Sequence, residues 1–130
     1  MKIKFKILLL VAVAALAVAG CKYDWIIPEE VIDPDDPNVE EVSFSGDILP
    51  VFTNGNNCTA CHNGSQMPDL RAENAYTTLN STRYINKTTP EESRIYAIPH
   101  PDTNGHSQKK YTAAQANLIL IWINQGAKNN

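Results

Sequence analysis

The run Cys58-Thr59-Ala60-Cys61-His62 is the feature that the rest of this chain has to serve. Two residues between the thiols give one helical turn of reach, so both sulfurs can address the same object. An imidazole follows at the next position. Presenting two thiols and an imidazole together needs a rigid cradle, and the sequence around them supplies short helices. No period-2 alternation of any length occurs, so the domain reads as all-α.

Ahead of this run the chain has two parts. Residues 1–6 carry Lys2, Lys4 and Lys6, and residues 7–19 form an unbroken run of 13 apolar residues. These are the basic and apolar regions of a secretory leader, and the run is shorter than the about 20 residues a membrane-spanning helix needs. Val18-Ala19-Gly20-Cys21 resembles the lipobox of bacterial lipoproteins. The resemblance implies that residues 1–20 are a lipoprotein signal peptide, that Cys21 is diacylated, and that 110 of the 130 residues remain. Two acyl chains give stable anchoring where one does not. The Lys22 and Asp24 that follow loosely resemble a signal for export to the cell surface, with the periplasmic leaflet of the outer membrane as the alternative.

Residues 22–41 hold eight acids and one base, whereas residues 42–130 hold six acids and seven bases. With Pro28, Pro34 and Pro37 among its acids, the segment 21–41 reads as an extended spacer. Its apolar residues, Trp25 to Ile32, leave open a docked arm instead. The domain, residues 42–130, is nearly neutral and lacks the basic face that nucleic-acid binding requires.

Within the domain, residues 43–52 read as a short helix with Ser45 as N-cap and Pro50 in its first turn. Residues 72–79 read as a second helix. Thr89-Pro90-Glu91-Glu92 opens a third, continuing to Ala97. Thr112 and Gln115 form a capping box for the longest helix, which ends near Gln125 with Gly126 just beyond. Leu118, Ile119, Ile121, Trp122 and Ile123 give that helix a wide apolar surface, so it is expected to be deeply buried.

Three cysteines in an exported chain need an assignment. One is taken by the lipid, and Cys58 and Cys61 remain beside His62. In this context Cys-x-x-Cys-His reads as a covalent attachment site for c-type haem, with His62 as proximal iron ligand. The competing readings are a redox dithiol, a disulfide and half of a zinc site. A zinc site wants four ligands, and a thioredoxin-like dithiol wants a βαβ pattern that this sequence lacks.

The whole layout of residues 43–130 resembles the small monohaem c-type cytochromes, in which the first and last helices cross. Asp47-Ile48-Leu49-Pro50-Val51-Phe52 and the terminal block from Trp122 resemble, more narrowly, the cytochrome domains of Bacteroidetes-like lipoproteins. The resemblance implies one covalent haem c on Cys58 and Cys61. It also implies a helix crossing that holds Phe44 or Phe52 against Trp122. The distal iron ligand is assigned to His106, which matches where the ligand loop ends in that family. His100, Met67 and an open sixth position are the alternatives. Pro68 is better used close to His62, where a loop carbonyl accepts the Nδ1 proton. The function implied is single-electron transfer between redox proteins of the cell envelope, not catalysis. No Ser-His-Asp grouping and no Gly-rich phosphate loop is seen. The alternatives are a haem-based gas sensor and a structural subunit of an envelope complex.

Overall fold

The computed structural model describes residues 38–130. The leader, Cys21 and the spacer as far as residue 37 lie outside the described residues. Among the described residues there are helices and loops and no strand, an all-α arrangement.

A π-helical turn, Phe44–Ile48, runs directly into α1, Leu49–Thr53. The cap is Ser43 and not Ser45. Ser43 Oγ accepts the Gly46 N–H at 3.0 Å while Asp47 Oδ2 accepts the Ser43 N–H at 2.8 Å, a reciprocal pair that places the helix start two residues early. Pro50 accounts for the wide turn. It has no N–H to give, and its ring crowds the carbonyl four residues back. Ile48 and Leu49 instead donate five residues back, to Ser43 and Phe44, so the helix is widened just ahead of the ring.

The second helix, α2, is Ala75–Leu79, shorter than the expected 72–79. Arg71 O accepts from both Asn74 and Ala75, so the chain turns before it coils. The third expected helix is broken. Pro90–Glu92 is a 3-10 turn, Ser93 is extended, and α3 is Arg94–Ala97. Ser93 is buried, and its hydroxyl bridges the N–H and carbonyl of Asn86. That tertiary pairing outweighs the helix signal of the Thr89-Pro90 start. Thr89 makes no backbone cap; its hydroxyl bonds Glu92.

The longest helix, α4, is Ala113–Asn124 and follows its signals closely. Both halves of the Thr112/Gln115 capping box form. At the far end Gly126, at φ 99°, donates to Ile123 O while Ala127 donates to Trp122 O, the paired bonds of a Schellman stop. Ile119, Ile121, Trp122 and Ile123 are fully buried.

The segment from Phe44 and α4 meet at an aromatic crossing. The Phe44 ring lies 5.4 Å from Trp122 and 5.2 Å, edge-on, from Tyr76. Phe44, and not Phe52, is therefore the ring paired with Trp122. The last residues close over this contact. Trp122 Nε1 donates to Lys128 O at 2.9 Å, and Asn130 Oδ1 accepts the Phe44 N–H at 2.8 Å. Within the stretch read as spacer, residues 39–41 also lie here: Val39 packs on the core, Glu40 O accepts from Gln125, and Glu41 pairs with Lys128.

Candidate functional site

Residues outside the aromatic crossing surround a cavity of about 480 Å³, within the size range of small-molecule sites. Cys58, Cys61, His62 and His106 all line it. The motif is pinned to α1 by the Cys58 N–H, which donates to Phe52 O at 2.9 Å. Cys61 and His62 both donate back to Cys58 O, at 3.2 and 2.9 Å, so the five residues make a single helical turn as their spacing predicts.

Cys58 is half-buried, Cys61 is exposed, and the two thiols are unlinked. Burial pushes the Cys58 thiol up, against a smaller opposing pull from Lys109. A redox-active dithiol needs the reverse, a thiol pulled down toward neutral pH. No group of three or more His, Cys, Asp or Glu gathers as a metal cluster among the described residues, so a four-donor zinc site is not assembled here.

His62 is oriented by its loop. Its Nδ1 lies 3.0 Å from Pro68 O. A carbonyl can only accept, so Nδ1 carries the proton and the neutral ring keeps its Nε2 lone pair for a metal. The carbonyl expected near Pro68 is therefore that of Pro68 itself. The Leu70 N–H returns to His62 O at 2.8 Å, closing residues 62–70 into a loop.

His106 lies beside His62. Its ring centre is 6.1 Å from that of His62, with the planes 28° apart in a stacked arrangement. The His106 Nδ1 is buried without a hydrogen-bond partner, an orphaned polar atom of the kind that marks a functional position. The loop carrying it is tied down elsewhere. Thr103 Oγ1 bonds the carbonyls of Ala97, Ile98 and His100, Lys110 Nζ bonds those of Pro101 and Thr103, and the Tyr111 N–H bonds Pro99 O.

The other two candidates are placed differently. His100 lies outside the cavity lining; its ring sits edge-on to Tyr96 at 5.0 Å and its Nδ1 accepts the Asp102 N–H. Met67 lines the cavity next to Pro68 but is 58 % exposed.

Several lining residues carry no motif and were not anticipated. Tyr111 is buried, with its hydroxyl donating to Ile95 O at 3.0 Å, and burial raises it well above the ordinary phenol value. Its position just before the Thr112 cap, where an apolar residue commonly packs back on the helix, was the available signal. Arg83, Arg94 and Lys109 also line the cavity, and no Asp or Glu does. That asymmetry suits a ligand bearing acid groups, and it arises from two loops and the first residue of α3, so nothing in the sequence groups them. No family model, curated protein or solved structure matches this chain.

Proposed function

We propose that this chain is a lipid-anchored monohaem c-type cytochrome with the small cytochrome c fold, passing single electrons between envelope redox partners. The observation that carries the reading is that Cys58, Cys61, His62 and His106 line one cavity, with the two imidazole ring centres 6.1 Å apart. The donor types suit the group: two thiols one turn apart would form the thioether links, and the imidazoles of His62 and His106 would ligate its iron. When bound, the haem supplies one-electron exchange at its iron.

The remaining work belongs to the chain. Pro68 O fixes the His62 tautomer and ring angle. Tyr84, Ile95 and Tyr111 present buried side chains to the cavity, and a drier site favours the less charged iron state. Arg83, Arg94 and Lys109 offer cations to the acid arms of the ligand. Bis-histidine ligation sets a lower potential than histidine–methionine ligation, since methionine raises it. Cys21 supplies the lipid anchor in the outer membrane, facing the periplasm or the cell surface, and the acidic spacer holds the domain away from it. The protein is an electron carrier and not an enzyme.

The test is the optical spectrum of the haem-loaded protein. A low-spin spectrum unchanged by carbon monoxide after reduction is expected, and His106→Ala converts it to high-spin. A high-spin wild-type spectrum that shifts with carbon monoxide overturns electron transfer in favour of gas binding. Cys58→Ser with Cys61→Ser abolishes covalent haem staining; a red, stained double variant would sink the attachment itself.

A further inference from the structure

The two residues that grip His62 flank Asp69. Pro68 O accepts the hydrogen bond from His62 Nδ1–H, and the Leu70 N–H donates to the His62 carbonyl. Asp69 itself is only 7 % exposed, an uncommon position for a carboxylate unless every oxygen is paired. Oδ1 accepts from the Arg71 N–H at 3.2 Å and from Arg71 Nε at 3.0 Å. Oδ2 accepts from Arg71 Nη2 at 2.6 Å and from Asn74 Nδ2 at 2.8 Å. The Arg71 carbonyl in turn accepts from Asn74 and Ala75 at the entry to α2.

The pair also presses on the turn just after His62. Gly64 has φ 96°, and a Cβ there would lie 2.9 Å from Arg71 Nη2 and 3.3 Å from Asp69 Oδ2. One carboxylate thus joins three things: the turn leaving His62, the strip that grips His62, and the start of α2.

We infer that Asp69 is a positioning residue for His62, its carboxylate locking residues 68–74 so that Pro68 O stays on Nδ1. The paired Arg71 and Asn74 hold the Asp69 carboxyl well below the usual carboxylate range, so the lock is ionised throughout neutral pH. Asp69 does not touch the cavity; it acts through the Pro68 carbonyl. A firm bond at Nδ1 makes the imidazole a stronger donor to a bound metal, which favours the oxidised state. The electrochemical consequence rests on the haem ligation proposed above, whereas the locking of His62 does not.

The experiment uses the purified full-length protein and Asp69→Asn, which keeps the shape and removes the charge. Two quantities are measured: the exchange rate of the His62 Nδ1 proton by NMR, with any bound iron kept reduced, and, where haem is bound, the midpoint potential. Exchange is expected to quicken about tenfold in Asp69→Asn, the scale of one hydrogen bond lost, with the potential moving upward. Glu73→Gln removes an exposed carboxylate 3.7 Å from the same Arg71 and is expected to move neither. Unchanged exchange in a folded Asp69→Asn overturns the inference. So does an equal effect of Glu73→Gln, which would reduce Asp69 to its charge alone. If Asp69→Asn does not fold, Asn74→Ala, which deletes one donor, carries the same expectation at smaller size, and no change there overturns it. A wild-type protein without covalent haem refutes the proposed function, yet the exchange rates still decide the locking.

Discussion

The aromatic crossing and the histidine cavity share no residue and are built on opposite principles. At the crossing the Phe44 ring touches those of Tyr76 and Trp122, and the backbone N–H groups of Val42, Phe44 and Ser45 are bonded to Gln125 and Asn130. Around the cavity, loops are bonded mostly to themselves, and the side chains face an opening. A helix pair can bury apolar surface with no partner but itself. Loops that converge on a cavity leave donor atoms aimed inward, and the orphaned His106 Nδ1 is the sign of that cost. Packing is concentrated at the crossing and the chemistry-bearing side chains at the cavity.

The strongest way to break this division is Trp122→Ala. It removes a side chain that is 1 % exposed and its bond to Lys128 O, at an expected cost of about 3–5 kcal/mol in denaturant unfolding. If the crossing is the stabilising region, any protein that still folds keeps the His62 and His106 environment unchanged by NMR.

A smaller effect lies at the cavity wall. Tyr111→Phe leaves the Ile95 carbonyl without its donor, at about 1–3 kcal/mol. Because Tyr111 also lines the cavity, this change is expected to alter the spectrum of a bound ligand, which Trp122→Ala does not. Equal effects from both on the spectrum would erase the distinction.

The gentlest probe is acid. The Asp69 carboxyl is held below its unfolded value by Arg71. A depressed carboxyl contributes stability that is complete above about pH 3.9 and is lost as pH falls through the lower folded value. Wild-type stability is thus expected to drop more steeply below about pH 4 than that of Asp69→Asn, measured by thermal melts across that window. Parallel slopes would show that the loop contributes nothing measurable in acid.

How much of this was legible differs between the two regions. The Thr112/Gln115 box and Gly126 marked α4 almost to the residue, because caps are local chemistry between neighbours. The single turn of Cys58 to His62 and the Phe44–Trp122 contact were also within reach. The helix breaks were not. Ser93 interrupts a well-signalled helix to bond Asn86, and Asp69 delays α2 by engaging Arg71 and Asn74. Ser45 was a plausible cap, but Ser43 took the role once Pro50 had widened the turn. In each case a side chain found a partner that periodicity does not encode.

From sequence alone, then, come the all-α character, the position of the longest helix, and the grouping of Cys58, Cys61 and His62. These depend on residues within one or two turns of each other. Which of the two loop histidines lies beside His62, which carbonyl orients His62, and which cations share its cavity depended on the closing of separate segments. Between His100 and His106 there are only five intervening residues of similar polarity. Bonds from Thr103, Lys110 and Tyr111 fold that loop so that one ring turns to Tyr96 and the other to His62. Those partners become neighbours only when the chain has folded, and that decides the site.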